Sequence, residues 1–165
     1  MILDLRKKPP NSNMDLPNIF TSDVASQVIQ RIEKLKPTTP ASWGKMDVSQ
    51  MLAHCCVTYE MAYENIHPKP NFFIKLMLKA FAKKAVTGPA PYKKSTPTAS
   101  QFIIKGSRDF EKEKNRLIAY INKTQQLGES YFEKKESQSF GMLTINEWNN
   151  MFYKHLDHHL NQFGV

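Results

Sequence analysis

Three of the five histidines of this 165-residue chain lie close to its carboxyl end, at His155, His158 and His159. His155 and His159 are four residues apart, so on a helix their side chains lie one turn apart on one face. A helix presents two imidazoles to one metal ion with this spacing. Neutral imidazole is the commonest metal ligand in proteins, so the pair predicts a metal site. The pair lacks the glutamate of the HExxH protease motif, because Leu156 follows His155.

The two histidines are predicted to point into the protein. At about 100° per residue, Trp148, Phe152, His155 and His159 fall on the most apolar side of the last predicted helix. Buried imidazoles are costly unless each has a partner, and a metal ion would provide one. The alternative is a pair of core histidines bonded to the backbone or to each other. We expect His158 to lie nearer the polar edge and away from the metal, although it could replace a neighbour as ligand.

His54 is the third candidate ligand. It lies in the middle of the second predicted helix, at the flank of an apolar stripe, and the alternative is a half-buried polar residue. A third histidine from a facing helix would leave the fourth metal position open, as in catalytic zinc sites. Such a set suits Zn, Ni, Fe or Cu. The residues predicted to line a substrate pocket beside it are Met51, Thr58, Trp148, Phe152 and His158.

Four long segments with helical periodicity carry these residues. Polar residues that can cap a helix precede them, and Thr144 with Glu147 forms a capping box before the last one. Proline or glycine follows each segment. The predicted fold is therefore all-α, an antiparallel up-down four-helix bundle with a helical and loop insertion between helices 2 and 3. The four helices are predicted at residues 23–36, 48–66, 110–127 and 144–163.

The insertion contains a shorter predicted helix at residues 71–85. Its residues are apolar nearly all round, so we expect it to be buried or to pack on a partner. Residues 86–106 follow as a proline- and glycine-rich loop, with a short extended piece at 102–104. The predicted domains are an extended amino-terminal arm at residues 1–20 and a single helical domain at residues 21–165.

The composition favours an ordinary globular protein. Hydrophobic residues make up 41% of the chain and charged residues 23%, which argues against disorder. No apolar run approaches the ~20 residues of a membrane span, and residues 1–20 lack the apolar core of a secretory signal. The only cysteines, Cys55 and Cys56, are adjacent and do not have zinc-ribbon spacing. We expect reduced thiols and a cytoplasmic location.

The net charge of +8 is concentrated in one segment. Residues 66–107 contain eight lysines and no aspartate or glutamate. Such a segment is either a solvated basic surface or a site for nucleic acid, an anionic membrane or an acidic small molecule.

Two parts of the sequence together resemble a DinB-like (YfiT-like) domain over roughly residues 17–165. They are Trp43-Gly44-Lys45-Met46 with Gln50-Met51-Leu52-Ala53-His54, and the run from Lys154 to Gly164. The resemblance implies a four-helix bundle, frequently a homodimer, with a metal held by His54, His155 and His159. Members with known activity are metal-dependent hydrolases, or thiol transferases and isomerases that use bacillithiol or mycothiol. The long lysine-rich insertion departs from the family's usual short connection.

Two functions follow as hypotheses. In the first, the protein is a metal-dependent hydrolase or thiol transferase that acts on a small molecule. The nucleophile would be a metal-activated water in hydrolysis, and the metal would deprotonate a substrate thiol in the transfer reaction. No carboxylate is placed to act as its general base. In the second, the protein is a non-enzymatic binding module whose segment 66–107 binds nucleic acid or an anionic surface. Only Tyr92 and Phe102 could stack on bases there, which argues against nucleic acid. An insertion helix that is apolar all round argues against a membrane surface.

Overall fold

The structure is a computed structural model that describes residues 14–64 and 66–165. Helices account for 58% of the described residues, so the prediction of a mostly helical protein is confirmed. Residues 1–13 of the predicted arm lie outside the described part. The rest of the arm belongs to the core, because Met14, Ile19 and Phe20 are buried and the Ile19 amide donates to Asn149 Oδ1 at 2.8 Å.

Four helices carry most of the core: α1 at Ser22–Glu33, α2 at Val48–Tyr63, α5 at Phe110–Phe132 and α6 at Ile145–Gln162. Capping boxes start α2 and α6, at Asp47 with Gln50 and at Thr144 with Glu147. The helix predicted to reach residue 66 ends at Tyr63, since the Glu64 backbone is already extended.

The long helices pack closely on one another. Helix α5 contacts α1, α2 and α6, and α6 also contacts α1 and α2. Every residue of α2 from Met51 to Glu60 is buried, as is every residue of α6 from Trp148 to Leu156. Both helices that carry the candidate ligands therefore run through the interior.

Helix α5 changes direction at Gly128, whose backbone has φ 65° and ψ −177°. The prediction ended this helix at residue 127, and the regular helix does break there. One further helical turn follows the break and brings Phe132 into the core, where its side chain is fully buried. Phe132 contacts the rings of Phe20, Trp148 and Phe152.

The insertion begins with a continuous helical segment, which we call the insertion helix. It consists of α3 at Phe72–Met77, a π-helical stretch at Leu78–Ala82 and α4 at Lys83–Thr87. The prediction was that this helix is buried or packs on a partner. It is not buried within the chain, since most of its large apolar side chains are exposed, and packing on a partner stays a prediction. Its other side rests on the protein, and α4 packs against α6.

The extended piece predicted at residues 102–104 is also wrong at its start. A 3-10 turn covers Ser100–Phe102 instead. An isolated extended segment would leave its backbone groups without partners, whereas the turn provides bonds from Phe102 to Ala99 and from Ile103 to Ser100.

Among the described residues, strands occur only as a small hairpin between α5 and α6. Strand β1 at Glu136–Ser137 pairs antiparallel with β2 at Gly141–Met142. In the same part of the chain, no helix combines the length and apolar character needed to cross a membrane. Cys55 and Cys56 are both free and buried.

Candidate metal centre

Three histidines from two helices converge inside the protein. His54 of α2 and His155 and His159 of α6 each offer a ring nitrogen, and these nitrogens lie within 4.8 Å of one another. Their side chains are 5%, 8% and 7% exposed. The ring centroids are 4.6–4.9 Å apart in all three pairs. The structure thus brings together the three residues that the sequence singled out, in a group that could hold a metal ion.

Hydrogen bonds fix the protonation of two of these rings. His54 Nδ1 lies 2.8 Å from the carbonyl oxygen of Phe102. A carbonyl can only accept, so Nδ1 carries the hydrogen and donates it. His159 Nδ1 lies 2.8 Å from Gln162 Oε1, and the Gln162 amide nitrogen donates to the Trp43 carbonyl. That second bond orients the amide so that its oxygen accepts from His159. In both neutral rings, Nε2 therefore keeps its lone pair.

The third ring has two possible protonation patterns. His155 Nδ1 lies 2.9 Å from the Thr58 hydroxyl, and its Nε2 lies 3.0 Å from His54 Nε2. If His155 Nε2 carries the hydrogen, it donates to His54 and the hydroxyl donates to Nδ1. If Nδ1 carries the hydrogen, it donates to the Thr58 oxygen and Nε2 becomes a third free lone pair. The hydroxyl serves both patterns because it can donate or accept.

Burial keeps the three rings neutral. It lowers the pKa of His54, against the opposing effect of the bond to Phe102. It lowers the pKa of His155 well below the usual value, and the neighbouring His159 and His54 lower it further. It lowers the pKa of His159 to about 3, again with a contribution from His54. Neutral rings are the form that binds metal.

His158 lies beside this group but outside it. Its nitrogens are not among the ligand atoms that lie within 4.8 Å of one another, while its ring centroid is 5.0 Å from that of His159. The ring is half-buried between Trp43 and Tyr92, at 5.8 Å and 5.6 Å between centroids.

Two aromatic rings from the insertion pack against the three histidines. The Phe102 ring lies 5.3 Å from His54 and 5.9 Å from His155, and the Tyr92 ring lies 6.4 Å from His155. Farther out, the Lys94 ammonium lies 4.2 Å from the centre of the Trp43 ring. The loop after the insertion helix therefore closes over the histidines with aromatic side chains and one cation.

The residues predicted to line a pocket have different places. Thr58 contacts His155 directly, and Met51 is fully buried in α2. Trp148 and Phe152 stack on each other at 5.6 Å and are fully buried, and Phe152 also stacks on Tyr59 at 4.9 Å. These two aromatic residues belong to the hydrophobic core cluster along α6.

Sequence reasoning missed the contacts made by Phe102 and Gln162. Gln162 follows His159 by three residues, so helical spacing alone could have suggested it. The Phe102 contact comes from a loop 48 residues away from His54, and no local signal indicates it.

No carboxylate joins the histidine group among the described residues. Asp157, on the same helix, forms an ion pair with Arg31 at 2.8 Å. Glu60 is buried and pairs with Arg116 and with His67, whose Nε2 lies 2.6 Å from the carboxylate. His67 thus has a separate partner, and the centre is a set of neutral nitrogens.

A family model described as "Protein of unknown function (DUF1569)" matches residues 15–164. The match spans α1 to α6 and includes all three histidines. No curated protein and no solved structure matches the chain.

Proposed function

We propose that this chain, which belongs to the DUF1569 family of proteins of unknown function, is a metal-dependent enzyme that acts on a small molecule. His54, His155 and His159 would hold one divalent metal, and the reaction would be a hydrolysis or the transfer of a thiol-bearing group. The observation that carries the proposal is the convergence of three buried ring nitrogens within 4.8 Å.

The surrounding contacts suit a metal centre. Metal-bound histidines usually donate their other ring N–H to a carbonyl, carboxylate or similar acceptor, which fixes the ring orientation. Here the Phe102 carbonyl, the Gln162 amide oxygen and the Thr58 hydroxyl occupy those positions. Each Nδ1 has an acceptor, so the three Nε2 atoms can all turn their lone pairs inward.

Three protein ligands leave one position free for a reactant, as in catalytic zinc sites. A metal there would act as a Lewis acid that lowers the pKa of a bound water or thiol. Zn, Ni and Fe all suit imidazole ligands, so the donor set does not separate them. The protein's part is to hold the rings, and to keep bulk water out with Tyr92 and Phe102.

The outer residues favour a small substrate with an anionic group. Lys94 lies over Trp43 at 4.2 Å, next to His158, and both Lys93 and Lys94 are exposed. A carboxylate or thiolate that approaches the histidines from this side would meet positive charge. The aromatic rings of Trp43 and Tyr92 would contact the apolar part of such a molecule.

The same proposal includes the architecture of the resembled DinB-like domains. Contacts join α5 to α1, α2 and α6, and the up-down order of the four helices stays a proposal that rests on the resemblance. The homodimer also stays a proposal, and it rests on that resemblance.

Metal analysis of protein purified without a histidine tag tests the proposal. We expect about one divalent ion per chain, bound through three imidazoles. His155→Ala should lose stoichiometric binding and keep its helical circular dichroism, because the apolar core does not depend on this ring. His158→Ala is the matched control, since the residue lies on the same helix and outside the group, and it should bind metal like the parent.

An activity measurement completes the test. Parent protein loaded with Zn, Ni or Fe should accelerate either the hydrolysis of chromogenic esters and amides or the conjugation of a low-molecular-weight thiol. The proposal would be wrong if His155→Ala held metal as tightly as the parent. If the metal-loaded parent had neither activity, the proposed enzymatic function would be excluded and only the metal site would stand.

A further inference from the structure

The insertion helix exposes a continuous row of large apolar side chains. Isolated exposed apolar residues are normal, but a contiguous group of this kind marks an interaction site. Helical spacing places most of them on the side that faces away from the protein. The exposed fractions are 76% for Phe72, 75% for Phe73, 55% for Leu76, 58% for Met77 and 76% for Phe81.

The other side of the same helix is held by the protein. Leu78, Ala82 and Val86 are partly buried and pack against the core, and α4 contacts α6. The insertion helix is therefore two-faced, although its sequence alone looks apolar all round. The packed side holds the exposed side in place. We call the exposed row of Phe72, Phe73, Leu76, Met77 and Phe81 the apolar face.

Lysines lie beside the apolar face, on the insertion helix and just before it. Lys69, Lys79 and Lys84 are exposed, and Lys75 and Lys83 are half-buried at its edge. Lys79, Lys83 and Lys84 line one surface depression of about 320 Å³ next to the helix, together with Asp15 and Glu147. Lys83 pairs with Glu147 at 2.8 Å and Lys75 with Glu136 at 3.8 Å. Lys69, Lys79 and Lys84 form no ion pair with the described residues, and the stretch 66–107 itself contains eight lysines and no carboxylate.

We propose that the apolar face docks onto the surface of an anionic phospholipid bilayer. A helix that lies in a membrane interface combines an apolar face, rich in Phe and Leu, with lysines along its border. Each such lysine adds attraction to anionic headgroups. The docking is peripheral, because no helix of the described residues can cross a membrane.

Charge argues against the other occupants. A second copy joined through the same face by a two-fold axis would bring this lysine border against an identical one. Nucleic acid would use basic charge and exposed rings that stack on bases. However, Tyr92 and Phe102 turn towards the histidines. The exposed rings of Phe72, Phe73 and Phe81 share their face with Leu76 and Met77, which add apolar area for a bilayer but cannot stack on bases.

Vesicle co-sedimentation with the full chain tests this inference. The parent should bind vesicles of phosphatidylcholine mixed with phosphatidylglycerol, and bind pure phosphatidylcholine at least about tenfold more weakly, because several lysines contribute. High salt should weaken binding to the mixed vesicles. Equal binding to both kinds of vesicle, or binding to neither, would overturn the proposal.

Two pairs of substitutions locate the contact. Phe72→Ser with Phe73→Ser should reduce partitioning by more than about tenfold, since each ring removes apolar area from the bilayer contact. Both side chains are about three-quarters exposed, so the fold should not change. Ile103→Ser, at a residue of the loop that is 53% exposed, is the control and should bind like the parent.

The charge test uses variants with the same change in net charge. Lys79→Glu with Lys84→Glu should reduce binding to anionic vesicles by about tenfold or more. Lys34→Glu with Lys112→Glu alters exposed lysines just after α1 and on α5 and should have little effect. Equal losses in both variants would mean that net charge alone attracts the protein, and would overturn the assigned surface.

Analytical sedimentation of the same proteins in solution distinguishes a dimer contact from a membrane contact at the apolar face. We expect Phe72→Ser with Phe73→Ser to leave the oligomeric state of the parent unchanged. A parent dimer that the two changes convert into a monomer would assign the face to a second copy and overturn the proposal. Metal content should not change in any of these variants, so the inference stands or falls independently of the histidine centre.

Discussion

The three histidines differ in whether their hydrogen-bond partners fix which ring nitrogen carries the hydrogen. His54 and His159 each donate Nδ1–H to an oxygen that can only accept, so their free nitrogen is fixed before any metal binds. His155 faces a hydroxyl instead, and its proton can lie on either nitrogen. A metal at the centre would select one of the two patterns, with Thr58 as acceptor. If the centre binds metal as proposed, the Thr58 hydroxyl would therefore contribute to metal affinity.

Thr58→Val tests that role. Valine has nearly the same shape but cannot accept a hydrogen bond, so His155 Nδ1–H would have no partner in the metal-bound pattern. We expect metal affinity to fall by about 10- to 100-fold, which is typical for the loss of such a supporting contact. Isothermal titration with Zn²⁺ on the chelator-treated protein measures it.

Thr58→Ser is the control for this prediction. It keeps the hydroxyl and removes only a methyl group, so its affinity should stay within a few-fold of the parent. If valine and serine at this position bound Zn²⁺ equally well, the hydroxyl would have no part in holding His155.

At the scale of elements, helix caps and periodicity predicted α1, α2, α5 and α6 closely. The prediction failed at the insertion helix, where the local sequence does not indicate which side faces the core. The insertion helix is apolar on every side in sequence, and only its packing on α6 decides which side is exposed. The pairing of α2 with α6 followed from two inward faces, so the histidine group could be predicted. The loop that brings the Phe102 carbonyl to His54 could not, because its path depends on the whole insertion.

Gly128 in α5 permits the turn that directs Phe132 into the core. Its backbone angles lie in a region that is almost exclusive to glycine. No atom lies within 4 Å of the position that a Cβ would take, so a substitution there strains only the backbone. Gly128→Ala should lower the free energy of unfolding by about 1–3 kcal/mol, measured by urea denaturation.

Asn122→Ala serves as the reference for that measurement, because Asn122 is exposed in the same helix. Alanine is the better helix former, so this change should be neutral or slightly stabilising. A Gly128→Ala protein as stable as its parent would show that the kink can be relieved without cost.

For the whole molecule, the core does not need a metal to form. Apolar side chains from α1, α2, α5 and α6 build one cluster that includes Trp148, Phe132 and Phe152. A chain of this length buries enough surface to fold without a structural ion. The metal should then stabilise the folded state only as a ligand does, by mass action.

Thermal unfolding with and without a chelator tests whether the protein folds without a metal ion. Chelator-treated protein should keep its helical circular dichroism and still unfold cooperatively. Zn²⁺ at about 100 times its Kd should add about 2.7 kcal/mol, which raises Tm by roughly 5–11 °C for a protein of this size. Loss of helical signal on chelation would instead make the ion structural.

The bond from His54 to residue 102 has a consequence for genetic studies of the centre. The acceptor is a main-chain oxygen, which every amino acid at that position supplies. A library of point mutants at Phe102 would report only how the ring packs on His54 and His155, and would give no sign of the hydrogen bond. An amide-to-ester replacement between residues 102 and 103 makes this carbonyl a poorer acceptor and leaves both side chains unchanged. It also removes the Ile103 N–H that donates to Ser100, so the same replacement between residues 99 and 100, which weakens the Ala99 carbonyl that accepts from Phe102, is the control for loss of a bond in this turn. Backbone chemistry, rather than mutagenesis, is therefore the method that can reveal one of the three contacts on which the histidine centre depends.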